Sequence, residues 1–260
     1  ANIRNLDSWV HSHDHKAATE KAKDFVKMAI ARARGLKPLK PIVLPVVKRV
    51  LVIGGGVAGM KAAAVAAKAG LEVVLVEKSD SLGGMLRELY KISPEGYDAK
   101  KVVDEAIEEV RSSGVKVYLN TTVKRIDGFA GNFKVELSNG ETLDVGAIII
   151  ATGAKIHIPD YLGYGKRPNM YTLLDVEKLG YKVPGDNVVF IACVGSRNGK
   201  RGCSRYCCST MIHQALQLRR QGKNVVVVYK DIRTYTPEAE RLYKEAMEEG
   251  VLFVKVNSAK

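Results

Sequence analysis

The amino-acid sequence predicts an α/β fold of doubly wound parallel sheets, with a small β-meander and an N-terminal helical segment. Two β–loop–α–β units predict the parallel sheets: "RVLVIGGGVAGMKAAAVAAKAGLEVVLVEK" forms the first, and "NVVFIA" with "KNVVVVYK" supplies the strands of the second. Strands that alternate with helical segments are typical of this fold class. The meander is predicted by "TVKRIDGFAGNFKVELSNGETLDV", in which Asn139-Gly140 is a strong hairpin signal.

Composition and charge narrow the class of protein. The chain has 260 residues, is 46% hydrophobic and carries a formal net charge of +13. No run approaches the ~18 apolar residues that a membrane span needs, and the first residues lack a signal-peptide pattern, so we expect a cytoplasmic protein. The apolar runs "VGAIIIA" and "NVVFIACV" are predicted to be buried strands. Lys and Arg are scattered without interleaved aromatics, which argues against nucleic acid and favours anionic cofactors or an acidic partner.

The first unit has the residue pattern of a dinucleotide site. Gly54 makes the tight turn after the strand, Gly56 lets the backbone approach a pyrophosphate, and Gly59 permits close packing of helix on strand. The free N–H groups at the helix start, around Val57 and Ala58, would hold the phosphates. Glu77 ends the second strand, where its carboxylate can accept a hydrogen bond from a ribose hydroxyl.

Residues beyond this unit favour FAD over NAD. Gly83-Gly84 follows shortly after the acidic residue, and "VGAIIIATGA" ends a strand in Thr152-Gly153. Both features resemble the two-dinucleotide-fold flavoproteins, which include the thioredoxin-reductase-like enzymes, and Val123 matches the position whose backbone meets the adenine in that superfamily. The predicted FAD-binding residues are Gly54, Gly56, Val57, Ala58, Gly59, Glu77, Lys78, Gly83, Gly84, Met85, Val123, Ala151, Thr152 and Gly153.

All four cysteines of the chain lie in "CVGSRNGKRGCSRYCC", between the first strand and the helix of the second unit. This is where a reductase of the same type would carry a glycine-rich loop for NAD(P)H. Gly195, Gly199 and Gly202 remain there at the wrong spacing for such a loop. We therefore expect the loop to bind through sulfur and not to bind a nicotinamide nucleotide.

Three types of chemistry remain open for Cys193, Cys203, Cys207 and Cys208. Structural zinc usually takes two separated C-x2-4-C pairs, which adjacent cysteines fit poorly. A redox disulfide is possible chemically, but flavin reductases place theirs in the first unit, which here has no cysteine. An iron–sulfur cluster needs four converging thiolates, and nearby Arg and Lys side chains would offset its negative charge. The cluster is the favoured interpretation.

The cysteine loop with "YKDIRTY", and the N-terminal "NIRNLDSWVH", resemble the A subunits of heterodisulfide reductase and their sulfur-metabolism homologues. The resemblance covers nearly all of the chain. It implies an FAD-containing electron-transfer subunit whose four cysteines ligate a [4Fe-4S] cluster, with flavin-based electron bifurcation in methanogen complexes. It also implies an oxidoreductase, assembled with other subunits into an oligomer, that exchanges electrons with ferredoxin or a similar low-potential carrier.

The sequence also departs from that family. Asp7 stands where the family carries a cysteine, and no ferredoxin-type cysteine repeat or later "GD" motif for the ribityl chain is found. FAD is therefore expected to be held weakly unless another segment or chain completes its site. Two alternative functions remain: an NAD(P)H-dependent disulfide reductase that uses a redox dithiol, and a non-catalytic assembly scaffold. The predicted domains are an N-terminal helical extension (1–46), an FAD-binding domain (47–160), a connector (161–185) and a second Rossmann-like unit (186–260).

Overall fold

The computed structural model describes residues 1–256, which form one compact unit over residues 1–44 and another from residue 45 onward. The N-terminal compact unit, residues 1–44, has a π-helical turn, Arg4–Ser8, followed by helix α1, His15–Gly35. Asp14 caps α1 because its carboxylate accepts a hydrogen bond from the backbone N–H of Ala17 at 3.0 Å. Among residues 1–256, no helix combines the length and the apolar content that crossing a membrane would require.

The larger compact unit, from residue 45 onward, alternates strands and helices. Its elements, in chain order, are β1 (Arg49–Ile53), α2 (Val57–Lys68), β2 (Glu72–Val76), β3 (Lys91–Ile92), β4 (Tyr97–Asp98), α3 (Ala99–Ser112), β5 (Lys116–Tyr118), β6 (Val123–Phe129), β7 (Asn132–Leu137), β8 (Thr142–Val145), β9 (Ala147–Ile150), α4 (Leu173–Lys178), β10 (Asn187–Ile191), α5 (Cys207–Arg220), β11 (Asn224–Tyr229), α6 (Pro237–Glu248) and β12 (Leu252–Lys255).

The first sheet is parallel, with strand order β5-β2-β1-β9. The apolar side chains of its central strands, such as Leu51, Val52 and Leu75, are fully buried. The Ala-rich α2 lies against this sheet and against α3. Strands β6-β7-β8 form the predicted antiparallel meander, and Gly140, at φ +89°, lies in the turn between β7 and β8. The predicted fold class is thus present in residues 49–150, from β1 to β9.

The second sheet is also parallel, but its strands follow chain order, β10-β11-β12. Right-handed crossovers between strands in consecutive order place both connecting helices on the same face. Helices α5 and α6 accordingly pack on each other, and Ile212, Leu216 and Val227 form the centre of the core between helices and sheet. Cys207 and Cys208 are the first residues of α5, so this core fixes the position of half of the cysteines.

The prediction that both apolar runs form buried strands is wrong at several positions. Val189 and Ile191 of β10 are 60% and 56% exposed, and Ile150 of β9 is 74% exposed. β9 is the edge strand of its sheet, and α5 and α6 leave the opposite face of β10 uncovered in the described residues. An uninterrupted apolar run therefore indicated a strand correctly but did not establish burial on both faces.

The segment predicted as a connector contains the short helix α4. Thr172 and Asp175 form a capping box at its start: each side chain accepts a hydrogen bond from the other residue's backbone N–H. α4 carries Glu177, which is only 1% exposed. Its Oε2 accepts hydrogen bonds from the backbone N–H groups of Tyr90 and Lys91, at 3.1 and 3.0 Å.

The other carboxylate oxygen of Glu177 accepts hydrogen bonds from a different part of the chain, which includes α5. Its Oε1 accepts hydrogen bonds from Gln214 Nε2 at 2.7 Å and from the Tyr181 hydroxyl at 3.2 Å. Gln214 lies on α5, the helix that begins with Cys207 and Cys208. Since a buried carboxylate is stable only when its oxygens are hydrogen-bonded, these four contacts join the chain around β3 to the helix of the cysteine loop.

Candidate functional site

The first glycine turn connects β1 to α2 in the geometry that its residues predict. Gly54 has φ +108°, and its N–H donates to the carbonyl oxygen of Val76 at 2.8 Å. A Cβ at Gly59 would overlap the carbonyl oxygen of Gly54, so glycine at 59 is a packing requirement. A Cβ at Gly56, by contrast, would meet no atom within 4 Å. Gly56 is the N-cap of α2 without a side-chain cap, so an anion could approach the N–H groups of the first turn.

The second glycine pair packs directly on this turn. The N–H of Gly83 donates to the carbonyl oxygen of Gly55 at 2.8 Å, and Gly83 forms a parallel bridge with Gly56. Gly83 and Gly84 have φ of +116° and +55°, which other residues rarely adopt. A Cβ at Gly84 would lie 3.1 Å from Gly56 Cα. Met85, the next residue, lies in the 3₁₀ turn Gly84–Glu88 and is 38% exposed.

The strand-end segment at Ala151 reaches the same turn. The N–H of Ala151 donates to the carbonyl oxygen of Ile53 at 2.8 Å, and a Cβ at Gly54 would overlap the carbonyl oxygen of Ala151. Thr152 and Gly153 follow directly and are exposed. Three segments predicted separately from sequence, around residues 54–59, 83–85 and 151–153, thus lie around one turn at the carboxyl end of β1.

Glu77 is the buried acidic group beside this turn, with 7% of its surface exposed. Its Oε2 accepts a hydrogen bond from the N–H of Gly55 at 2.6 Å, and its Oε1 accepts one from the N–H of Ser79 at 2.9 Å. Burial acts to raise the pKa of Glu77, but the hydrogen bonds from Ser79 and Gly55, with the charge of Lys78, outweigh it, and the pKa lies below its usual value. A carboxylate offers about four acceptor positions, so acceptor capacity remains for a ligand hydroxyl.

Glu77 also anchors the chain that leads to Val123. The backbone carbonyl oxygen of Glu77 accepts a hydrogen bond from the N–H of Thr121 at 2.9 Å, two residues before Val123 at the start of β6. Lys78, on the other side of Glu77, is exposed. The predicted adenine position is therefore linked through two short chain segments to the predicted ribose-binding residue.

Replacing Glu77 with Gln is expected to destabilise the protein at neutral pH by about 1–3 kcal/mol, because one N–H donor then faces an amide N–H₂ group. Since the pKa of Glu77 is lowered on folding, this contribution is present above the unfolded pKa of 4.5 and is lost as the pH falls through the folded pKa. The measurement is urea unfolding of both proteins from pH 7 to pH 3.

The control for this prediction is Glu108→Gln, at an exposed position of α3. This variant should unfold like the parent chain at every pH. A stability difference for Glu77→Gln that stays constant from pH 7 to pH 3 would contradict the role of the ionised carboxylate.

The cysteine loop lies at the carboxyl end of β10. Cys193, Cys203 and Cys207 are half-buried, Cys208 is 6% exposed, and all four are free thiols. Three non-glycine residues of the loop, Cys193, Arg197 and Arg205, have positive φ values between +53° and +62°. Such values are uncommon and are frequent at functional sites. Within residues 1–256 no three His, Cys, Asp or Glu side chains are grouped in a way that could hold a metal ion.

The thiols of the loop differ in acidity. A hydrogen bond from the Cys208 thiol holds the pKa of Cys207 below its usual value, although burial opposes this. The same hydrogen bond, with burial, raises the pKa of Cys208. The hydroxyl of Tyr235 and the N–H of Arg205 donate to Cys203 Sγ, at 3.6 and 3.4 Å, and the pKa of Cys203 is lowered. Two of the four sulfurs thus lose their protons more readily than an ordinary thiol, as metal-binding thiols must.

Sequence reasoning missed Glu177 and the residues after β11 that contact the cysteine loop. The capping-box pattern of Thr172 and Asp175 was a usable signal for α4, but nothing in the sequence indicates the distant partners of Glu177. Arg197 extends a guanidinium to Cys193 Sγ at 3.9 Å and forms an ion pair with Asp231 at 3.4 Å. Asp231 lies in "YKDIRTY", the segment that carried part of the predicted resemblance.

Comparison with known proteins identifies the family and the fold of the chain. The family model for pyridine nucleotide-disulphide oxidoreductases matches residues 33–195, and so ends inside the cysteine loop. The thioredoxin reductases of Lactococcus lactis and T. acidophilum have similar structures, each with a TM-score of 0.53. They are 22% and 18% identical to the chain, and each similarity covers 80% of this chain and 64% of the other. The predicted thioredoxin-reductase-like fold is therefore confirmed.

Curated relatives support the predicted resemblance. The chain is 30% identical, over 98% of its length, to the A subunit of the H(2):CoB-CoM heterodisulfide,ferredoxin reductase of Methanothermobacter marburgensis. It is 35% identical, over 66% of its length, to a protein of Archaeoglobus profundus named as similar to the heterodisulfide reductase A subunits. It spans 54% and 26% of these two relatives. The chain thus belongs to the pyridine nucleotide-disulphide oxidoreductase family, and its predicted resemblance to heterodisulfide reductase A subunits is confirmed.

Proposed function

We propose that the chain is the FAD- and iron–sulfur-binding part of an electron-transfer subunit in a heterodisulfide reductase-like oxidoreductase complex. The observation that carries this proposal is the contrast between its two nucleotide-type turns. The first is a glycine turn with open space at Gly56, whereas the second carries four free thiols. One turn thus suits a dinucleotide, and the other suits a metal centre that thiolates bind.

The residues around the first turn fit FAD. The N–H groups of Val57 and Ala58, at the start of α2, would bind the pyrophosphate, which can approach because Gly56 has no side chain. Glu77 would accept from the ribose, and Val123 would lie against the adenine. Gly83, Gly84 and Met85, with Ala151, Thr152 and Gly153, would bound the cofactor along the remaining sides. Bound FAD supplies the ability to exchange electrons singly or in pairs.

The cysteine loop fits an iron–sulfur cluster by the chemistry of its donors. Cys193, Cys203, Cys207 and Cys208 provide four thiol ligands, and Arg197 and Arg205 place positive charge on the same loop. Ligand thiols lose protons as they bind iron, which the lowered pKa values of Cys203 and Cys207 favour. A bound 4Fe-4S cluster supplies one-electron transfer. Within residues 1–256 the sulfurs are not grouped as a metal site, so the chemistry of the four donors is what supports the cluster.

The second turn does not suit a nicotinamide nucleotide. Gly195, the first glycine after Cys193, is packed: a Cβ there would lie 2.9 Å from the ring of His157. The start of α5, where a phosphate would bind, carries Cys207 and the buried Cys208. Electrons would therefore pass between the flavin and the cluster, and the donor would be a protein.

The partners that we propose are other heterodisulfide reductase-like subunits and a low-potential carrier such as ferredoxin. Four relatives have ferredoxin in their names, and the net charge of +13 favours association with an acidic protein. Oligomeric assembly and flavin-based bifurcation belong to the same proposal.

Iron, sulfide and flavin analysis of anaerobically prepared protein tests this function. We expect about four irons per chain, since four thiolates hold one cubane cluster, together with bound flavin. Cys207→Ser should reduce the iron content to background and remove the broad visible absorption of the cluster. The control is Ser209→Ala, two residues further along α5, which should keep both.

Two results would contradict the proposal. Zinc in place of iron in protein never exposed to oxygen would exclude the cluster. Flavin without iron that is rapidly reduced by NADH or NADPH would establish the alternative function of a dithiol-based disulfide reductase.

A further inference from the structure

The segment between β11 and α6 borders the cysteine loop. Tyr235 donates its hydroxyl hydrogen bond to Cys203 Sγ at 3.6 Å, and the N–H of Arg205 donates to the same sulfur at 3.4 Å. Earlier in the segment, Asp231 pairs with Arg197, whose guanidinium reaches Cys193 Sγ. The segment therefore supplies or holds donors to two of the four sulfurs.

The ring of Tyr235 is held from two sides. The guanidinium of Arg205 lies over the ring, 4.7 Å from its centre. Arg233 donates a hydrogen bond to the Tyr235 hydroxyl oxygen at 3.5 Å and pairs with Asp231 at 3.3 Å. Because the oxygen accepts from Arg233, the hydroxyl proton is directed away from that cation and toward the sulfur. Although Tyr235 is 44% exposed, its orientation is thus defined by two arginines.

Resting on the proposed function, we infer that Tyr235 is a positioning residue that hydrogen-bonds the Cys203 ligand and raises the reduction potential of the cluster. A hydrogen bond to a ligating sulfur stabilises negative charge, and the reduced cluster carries one more negative charge than the oxidised cluster. The bond is therefore stronger in the reduced state. Arg233, in contact with the phenol oxygen, makes the hydroxyl a better donor, which enlarges the difference.

The structure provides a matched pair of variants. Tyr235→Phe keeps the ring beneath Arg205 and removes only the hydroxyl group. Tyr206→Phe removes a hydroxyl from the cysteine loop itself, at a residue whose hydroxyl has no hydrogen bond to a cysteine sulfur in residues 1–256. The pair separates the sulfur contact from a general effect of losing a phenol near the cluster.

The test is a redox titration of the anaerobically prepared chain, followed by the electron paramagnetic resonance signal of the reduced cluster. Tyr235→Phe should lower the ratio of reduced to oxidised cluster at a fixed potential about tenfold, the order expected for one charge-assisted hydrogen bond. For a one-electron couple this corresponds to about 59 mV toward negative potential. Tyr206→Phe should titrate like the parent chain, and iron and sulfide contents should be equal in all three proteins.

Each other outcome is decisive. Equal midpoints for Tyr235→Phe and the parent chain, at equal iron content, would overturn the inference and leave the proposed function intact. Loss of iron from Tyr235→Phe alone would also overturn it, because Tyr235 would then hold the loop together and not tune its potential. Absence of iron from the parent chain would overturn the proposed function, and this inference with it.

Discussion

Gly56→Val should abolish FAD binding while the protein remains folded. Gly56 has φ −72°, which valine adopts readily, and its Cβ would meet no protein atom within 4 Å. The added side chain would instead occupy the approach to the first N–H groups of α2. Losing the phosphate contacts there should weaken FAD binding at least about a hundredfold, since each charge-assisted hydrogen bond contributes about 1.5–3 kcal/mol. Equilibrium dialysis with FAD measures the affinity, and urea unfolding measures the stability.

Gly59→Ala is the matched comparison three residues away. Its Cβ would overlap the carbonyl oxygen of Gly54, so α2 would have to move from β1. This variant should lose stability first and FAD as a result, whereas Gly56→Val should lose FAD alone. Unchanged FAD affinity in Gly56→Val would show that the glycine turn is not the pyrophosphate site.

Glu177→Ala should cause the largest loss of stability among these substitutions, roughly 3–5 kcal/mol. Glu177 is 1% exposed and its carboxylate accepts four hydrogen bonds, so its removal leaves the buried Tyr181 hydroxyl and the part-buried N–H groups of Tyr90 and Lys91 without an acceptor. Each buried donor without a partner costs about 1–3 kcal/mol. The midpoint of urea unfolding at pH 7 measures the loss.

Glu88→Ala is the control for Glu177→Ala. Glu88 forms an ion pair with Lys178 at 2.8 Å, but both side chains are about half exposed. Exposed pairs contribute only about 0–1 kcal/mol, so this variant should unfold close to the parent chain. Equal stability of the two variants would show that Glu177 does not join the chain around β3 to α5 in the way that its hydrogen bonds indicate.

The glycine turns were predictable because each glycine is required by backbone geometry that the local sequence specifies. Gly54 has φ +108° in the turn itself, and Gly59 needs room for the carbonyl oxygen of Gly54, five residues before it. Glu177 was not predictable, because its acceptor role depends on backbone N–H groups 86 and 87 residues away. A backbone donor has no residue-type signature, so no pattern in the sequence marks this contact.

The cysteine loop falls between these two cases. Its place after β10 and at the start of α5 follows from the strand and helix patterns around it. The hydrogen bond from Tyr235 to Cys203, however, joins residues 32 positions apart across a loop whose backbone includes positive φ values. Local propensity does not specify such a conformation, and tertiary contacts have to select it.

The different strand orders of the two sheets have a consequence for how the chain folds. β10 pairs with β11 through residues such as Asn187 and Asn224. In this sheet each strand therefore pairs with the strand that precedes it in the chain. β1, in contrast, pairs with β9 through Val50 and Ala147, after the whole meander has been synthesised. Contacts between residues close in sequence form faster than distant ones. We therefore expect the scaffold of the cysteine loop to form early and independently, with the closure of the first sheet by β9 as the slower step.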